Sequence, residues 1–193
     1  MLWYRWTDTL EQLARTVPSQ ALGQLSARLF IGSYCSAYTA LPKSLPLAYK
    51  LLEIGLEVAV SEEEKRTTSY FLANMKRLEA VETKLTHLFA KSGREITNLA
   101  NSGHAIAQYN CAKELLTMAR GVQEGDKRET MQLNGTMWMI ASAKQAYIPS
   151  FFYVGWLHEY GLESIRNLEV AYEWYLLAAA HDDPQAYFRL SQL

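Results

Sequence analysis

The sequence predicts an all-α fold built from stacked helix–turn–helix units, and three observations carry that expectation. First, Trp138 returns as Trp174, thirty-six residues on, with Ser142-Ala143 returning as Ala178-Ala179, Ser150 as Ala186, Phe152 as Phe188 and Val154 as Leu190. A fixed period of this length is the signature of a stacked-repeat array. Second, apolar residues fall at i, i+3, i+4 spacing almost throughout, without the alternation of a strand. Third, helix breakers are sparse, with 10 Gly and 5 Pro in 193 residues.

Composition narrows the class further. Hydrophobic residues make up 49% of the chain, so it can bury a real core and is not disordered. Nineteen basic residues stand against twenty acidic ones, for a net charge of −1, which excludes the basic footprint of an ordinary nucleic-acid binder. Two cysteines, Cys35 and Cys111, are too few for a disulfide framework and read as small core residues. No apolar run reaches the length of a transmembrane helix, so direct membrane insertion is not expected. The N-terminus, MLWYRWTDTLEQLAR, lacks the pattern of a signal peptide, which makes a cytoplasmic setting the default; a processed secreted or lumenal chain would look the same.

Along the chain, Asp8 with Glu11 reads as a capping box opening a helix that ends before Pro18. Trp3, Tyr4 and Trp6 precede it and can cover the end of a stack. A second helix is expected from Pro18 or Ser19 to Ala37, and Pro46 suits the first turn of a third. Gly32 precedes Leu51 by the nineteen residues that separate Gly155 from Trp174, so the early chain keeps the late register. Ser61 with Glu64 is another capping box, for a helix to about Arg77. The stretch from Glu79 to Ala100 is helical but too long for the period, with a break or kink expected at Ser92-Gly93. Register returns at Gly103 to Tyr109. The polar stretch from Gly121 to Gly135, seven residues longer than the period needs, reads as an exposed, mobile loop. Asp183-Pro184 is an N-cap and first-turn pair opening a terminal helix of about ten residues.

AIAQYNCA at 105–112, AYEWYLLAAA at 171–180 and, more loosely, LPKSLPLAYKLL at 41–52 resemble the Sel-one-like repeat family, a relative of the tetratricopeptide repeat. The resemblance implies a right-handed superhelical solenoid in a single domain over residues 1–193. Residues 1–24 would be N-terminal capping helices, 25–183 about four units with the second degenerate, and 184–193 a C-terminal capping helix. Ala146 and Asp182 stand where the family has glycine between units, and Cys111-Ala112 stands for Leu-Gly. The family's roles are those of adaptors and scaffolds: in endoplasmic-reticulum degradation complexes, as activators of membrane enzymes such as chitin synthase, and in bacterial signalling. The implied function is an adaptor that binds a partner protein or peptide in its concave groove, without a cofactor. The alternatives are a regulatory domain of a larger enzyme or complex, and a structural protein that self-associates through its C-terminal end.

Catalytic patterns are missing from the sequence. His158-Glu159 lacks a second His at i+4, His87, His104 and His181 are isolated, and no nucleophile or phosphate loop is singled out, so an enzyme is not expected. The aromatics are more informative. Phe151, Phe152, Tyr153 and Trp156 crowd one helix and cannot all face the core. By register Phe152, like Tyr109 and Phe188, points into the stack, whereas Tyr153, Trp156 and Tyr160 share another face. Equivalent positions elsewhere carry Asn110, Lys113 and Arg189. Those six residues are the candidate groove wall; the competing reading of the same face is solvent exposure or packing between units. Trp138 and Trp174 are expected to fill the space between units.

Overall fold

Among the described residues eight helices have both ends defined, and strong local signals set them. The computed structural model describes residues 12, 14–18, 21–23, 25, 26, 44–84, 86–123, 125–161 and 166–193. No strand occurs among them, and the fold class is all-α. The helices are α1 (Leu45–Val58), α2 (Glu62–Glu82), α3 (Thr86–Asn101), α4 (Ala105–Gly121), α5 (Asp126–Lys144), α6 (Pro149–Tyr160), α7 (Leu168–Ala179) and α8 (Pro184–Leu190). Asp8, Glu11, Gly32, Cys35 and the aromatics at 3, 4 and 6 lie outside the described residues. The chain folds as two compact units, Met1–Ile96 and Thr97–Leu193.

In the first unit, Pro46 opens α1 as expected, and Ser61 opens α2 with a complete capping box. The Ser61 hydroxyl accepts from the Glu64 amide at 3.1 Å, and the Glu64 carboxylate accepts from the Ser61 amide at 3.2 Å. The Val60 amide, donating to the same carboxylate at 2.9 Å, and then the Ser61 amide hold the Glu64 carboxyl below its ordinary range. Helices α1 and α2 pack together, and Leu22, Leu47, Leu51, Leu52, Ile54 and Met75 form the buried core. The expected boundary at Arg77 and the break at Ser92-Gly93 are both displaced. Helix α2 runs on to Glu82, the chain turns at Thr83-Lys84 with Lys84 in the left-handed region (φ 56°), and α3 passes through Ser92-Gly93 without interruption. Ser92 is fully packed, so the small residue there serves close packing and does not mark a turn.

The second unit is a consecutive stack in which α5 packs on α4, α6 on α5, α7 on α6 and α8 on α7. Its shared core runs through Ala112, Leu116, Met139, Phe151, Val154, Leu157, Ala171, Tyr175, Ala178 and Ala186. Cys111 is buried in α4, as its apolar setting implies. The stretch from Gly121 to Gly135 is not a loop. Only 122–125 separate α4 from α5, and the extra residues lengthen those helices to 17 and 19 residues, against 12 each for α6 and α7. Gly135, which reads as a loop glycine, is a helix contact: a Cβ there would meet Leu116 Cγ at 2.9 Å and the Ala112 carbonyl at 3.3 Å. One hairpin later Gly155 sits on the opposite helix of its pair, where a Cβ would meet the Tyr175 ring at 2.8 Å and the Ala171 carbonyl at 3.1 Å. Each hairpin thus crosses at one alanine and one glycine, Ala112 against Gly135 and Gly155 against Ala171. The close approach that Gly155 permits from α6 is permitted in the earlier hairpin by Gly135 on the facing helix.

Three turns within the second unit repeat as well. Gly103, Ala146 and Asp182 all adopt positive φ (92°, 57° and 61°). Each closes a helix with the same pair of bonds, as when the Ala146 amide donates to the Ala143 carbonyl and the Tyr147 amide to the Ser142 carbonyl. Asp tolerates this region through its short polar side chain, but Ala does not, and an L-residue there costs about 1–2 kcal/mol. Part of that cost is returned when glycine raises the entropy of the unfolded chain. Ala146→Gly should therefore stabilise the protein by about 0.5–1 kcal/mol in urea denaturation. An unchanged or lower midpoint would show that the turn is not strained.

A candidate partner-binding groove

The groove begins with the way α6 distributes its rings. Successive helical residues point about 100° apart, so the four aromatics Phe151, Phe152, Tyr153 and Trp156 divide between faces. Phe151 is the buried one, 5.7 Å from the Trp174 ring. Phe152 is half-buried and stacks at 5.5 Å on Tyr175. Tyr153 and Trp156 turn toward α4 and α8. Tyr153 meets Tyr109 edge-on at 5.7 Å, and Trp156 lies 5.1 Å from Tyr160.

Cations cover these rings. Lys113 Nζ sits 5.3 Å from the Tyr109 centroid and 5.5 Å from that of Tyr153. The Arg120 guanidinium lies 5.0 Å over Trp156, and that of Arg189 lies 5.8 Å over Tyr160. Such contacts at exposed sites contribute about 0.5–1 kcal/mol each. Between α4, α6 and α8 they leave an open groove of 480 Å³ lined by Arg120, Phe152, Tyr153, Trp156, Pro184, Gln185, Phe188 and Arg189.

Beneath the groove a polar network fixes its floor. The Tyr175 hydroxyl donates to Glu159 Oε2 at 2.6 Å, and Arg189 Nη1 donates to Glu159 Oε1 at 3.4 Å. One carboxylate on α6 thereby ties α7 to α8. Burial, and then the bond to Glu159, push the Tyr175 hydroxyl far above the usual tyrosine range. A raised pKa means its contribution to stability is present below pH about 10 and is lost only above that. At the other end of the stack the Ser150 hydroxyl donates to Ser142 Oγ at 2.7 Å, and Ser142 Oγ donates to the Ala105 carbonyl at 2.8 Å, which joins α6, α5 and α4. His104 and Asp183 cap α4 and α8 with their side chains.

No family model matches the chain, and no curated protein matches it. Among solved structures it is similar to a protective antigen present in uropathogenic Escherichia coli strains that displays an SLR fold. The two are 15% identical with a TM-score of 0.47, over 91% of this chain and 41% of that one. The chain thus spans less than half the length of that neighbour, and a likeness this distant says nothing about the groove.

Of the six residues expected on the groove wall, Tyr153, Trp156 and Arg189 line it. Tyr160 and Lys113 extend it through their contacts with Trp156, Arg189 and Tyr153. Asn110 does not line it; its amide donates to the Ile106 carbonyl at 2.8 Å, within its own helix. Phe188 is the clearest departure. Register places it in the stack, yet it is 62% exposed and lines the groove. One period back Phe152 is covered by Tyr175 of the following helix, and among the described residues Phe188 has no such ring over it. Arg120 was also hidden from a repeat-based reading, because it sits on the extra length of α4. Its position two turns beyond Lys113, at i+7, was the available signal. Trp138 and Trp174, expected between units, are only partly buried, and Tyr175 takes the buried place.

Among the described residues no cluster of three or more His, Cys, Asp or Glu could hold a metal ion, and no helix is long and apolar enough to cross a membrane. Arg166, Glu169 and Glu173 are exposed, in keeping with a solvated face.

Proposed function

We propose that this protein is an interaction module, an adaptor or scaffold that holds a segment of a partner protein in the groove between α4, α6 and α8. The observation that carries the reading is the exposure of Phe188 beside Trp156 in a groove edged by Arg120 and Arg189. Aromatic residues and Arg are the side chains that dominate binding energy at interfaces, and they do so from pockets that partner contacts close to water. The helical-repeat fold agrees, since stacked helices present such concave surfaces. The test is affinity capture with mass spectrometry, comparing the natural chain with Phe188→Ser. A protein partner retained by the natural chain should be lost from the variant, whose melting should be unchanged because the ring is exposed. Equal capture by both would remove the groove from the account.

A second reading, self-association through the C-terminal end, has its own observation. Tyr172 and Leu176 on α7 are exposed, whereas Thr136 and Ile140, one period earlier, are fully and partly buried. Sedimentation over a wide concentration range separates the two: a hetero-binding adaptor keeps one sedimentation coefficient, and self-association raises it with concentration.

A further inference from the structure

The charge along the groove specifies its occupant more closely. Lys113 and Arg120 lie on the same face of α4, seven residues apart, with their cationic heads over Tyr153 and Trp156. Among the described residues, both meet rings and neither forms an ion pair. Arg189 across the groove differs, because Glu159 at 3.4 Å already answers its charge. The Asp183 carboxylate is likewise occupied, accepting from the Gln185 and Ala186 amides. Among the described residues these two cations therefore have no carboxylate partner, in a chain whose overall charge is −1.

Their spacing is a ruler. Seven residues of α-helix span about 10.5 Å. Three residues of an extended polyproline II chain make one full turn, span about 9 Å and return side chains i and i+3 to the same face. We propose that the groove takes an extended acidic peptide with carboxylates at i and i+3, one on Lys113 and one on Arg120, and with an apolar side chain beside them against Trp156 and Phe188. Arg offers a planar fork that can bind a carboxylate through two parallel hydrogen bonds, and Lys offers a point charge. Charge-assisted pairs of this kind would be shielded from water by the rings beneath them.

This inference rests on the reading of the groove as a peptide site, and its test is arranged so that the two can fail separately. A displayed library of random twelve-residue peptides is selected on the full chain, with Trp156→Ala as the counter-selection. Enriched peptides should be acidic, with Asp or Glu pairs three apart next to a large apolar residue. Replacing both acids by their amides should weaken a selected peptide about tenfold or more, and the double variant Lys113→Glu, Arg120→Glu should do the same. The double variant loses its cation–ring contacts and should melt somewhat below the natural chain, so binding is compared at a temperature where both are folded. Lysine in place of the peptide acids should restore binding to that variant. Enrichment of neutral or basic peptides, or binding that the amides leave unchanged, overturns the acidic preference and leaves the peptide groove standing. No enrichment over Trp156→Ala overturns both. Displacement of a selected peptide by a twelve-residue thymidine oligonucleotide at equal affinity would show that the cations read any polyanion, and would also overturn the proposal.

Discussion

Tyr175→Ala should destabilise the protein by about 3–5 kcal/mol, the range for removing a large buried aromatic side chain. Tyr175 is 0% exposed, stacks on Phe152 at 5.5 Å and lies against Gly155, whose missing side chain makes room for the ring. Removing the ring opens a cavity between α6 and α7. It also leaves Glu159 with Arg189 as its remaining side-chain partner. Tyr175→Phe keeps the packing and removes only the hydroxyl, so it should cost about 1–3 kcal/mol, the range for breaking a hydrogen bond to a charged group. Trp174→Ala, at the neighbouring and only partly buried position, should cost less than Tyr175→Ala. Urea denaturation of the three variants checks the order, and a Trp174 variant weaker than the Tyr175 variant would reverse the assignment of the core.

Adjacent aromatics show where sequence reading stops. The period identified Trp174 as the equivalent of Trp138 and Ser150 as that of Ala186, and the fully packed Ser150 and Ala186 agree with it. A period establishes equivalence, but it does not say which of two neighbours 100° apart faces inward. Tyr175 rather than Trp174 is buried because Gly155 leaves space for its ring, and Phe151 rather than Phe152 is the buried one of its pair. The capping signals at Ser61, Pro46 and Asp183 were legible because they act within a single residue or across two or three, so their geometry is local. The residues before Trp138 that exceed the period lengthen two helices, to 17 and 19 residues, where a loop is expected. Their polar side chains suit an exposed helix face as well as a loop, and only the contact of Gly135 with Leu116 distinguishes the two. Tyr153 and Trp156 were legible because α6 has more aromatics than one buried face can take. Phe188 was not, because a period marks equivalent positions and does not say whether a neighbouring ring covers each of them, as Tyr175 covers Phe152.

The second large effect is on binding. Trp156→Ala should weaken the captured partner by about 2 kcal/mol or more, as expected for an aromatic anchor at the centre of an interface. The ring is half-buried, held by Arg120 at 5.0 Å and Tyr160 at 5.1 Å on the groove side. Its loss in the free protein should cost only about 1–2 kcal/mol, because part of its surface stays in water. Helicity should be retained, since Trp156 neither caps a helix nor fills the α6–α7 crossing.

These two numbers for Trp156 set the groove apart from the core, and calorimetric titration of the captured partner into natural protein and Trp156→Ala, at a temperature where both are folded, compares them most directly. The predicted result is a Kd at least about thirtyfold weaker for Trp156→Ala, with its unfolding midpoint still above that of Tyr175→Ala. A Kd unchanged by the substitution, or a Trp156→Ala protein that unfolds as readily as Tyr175→Ala, would contradict it and return Trp156 to the core.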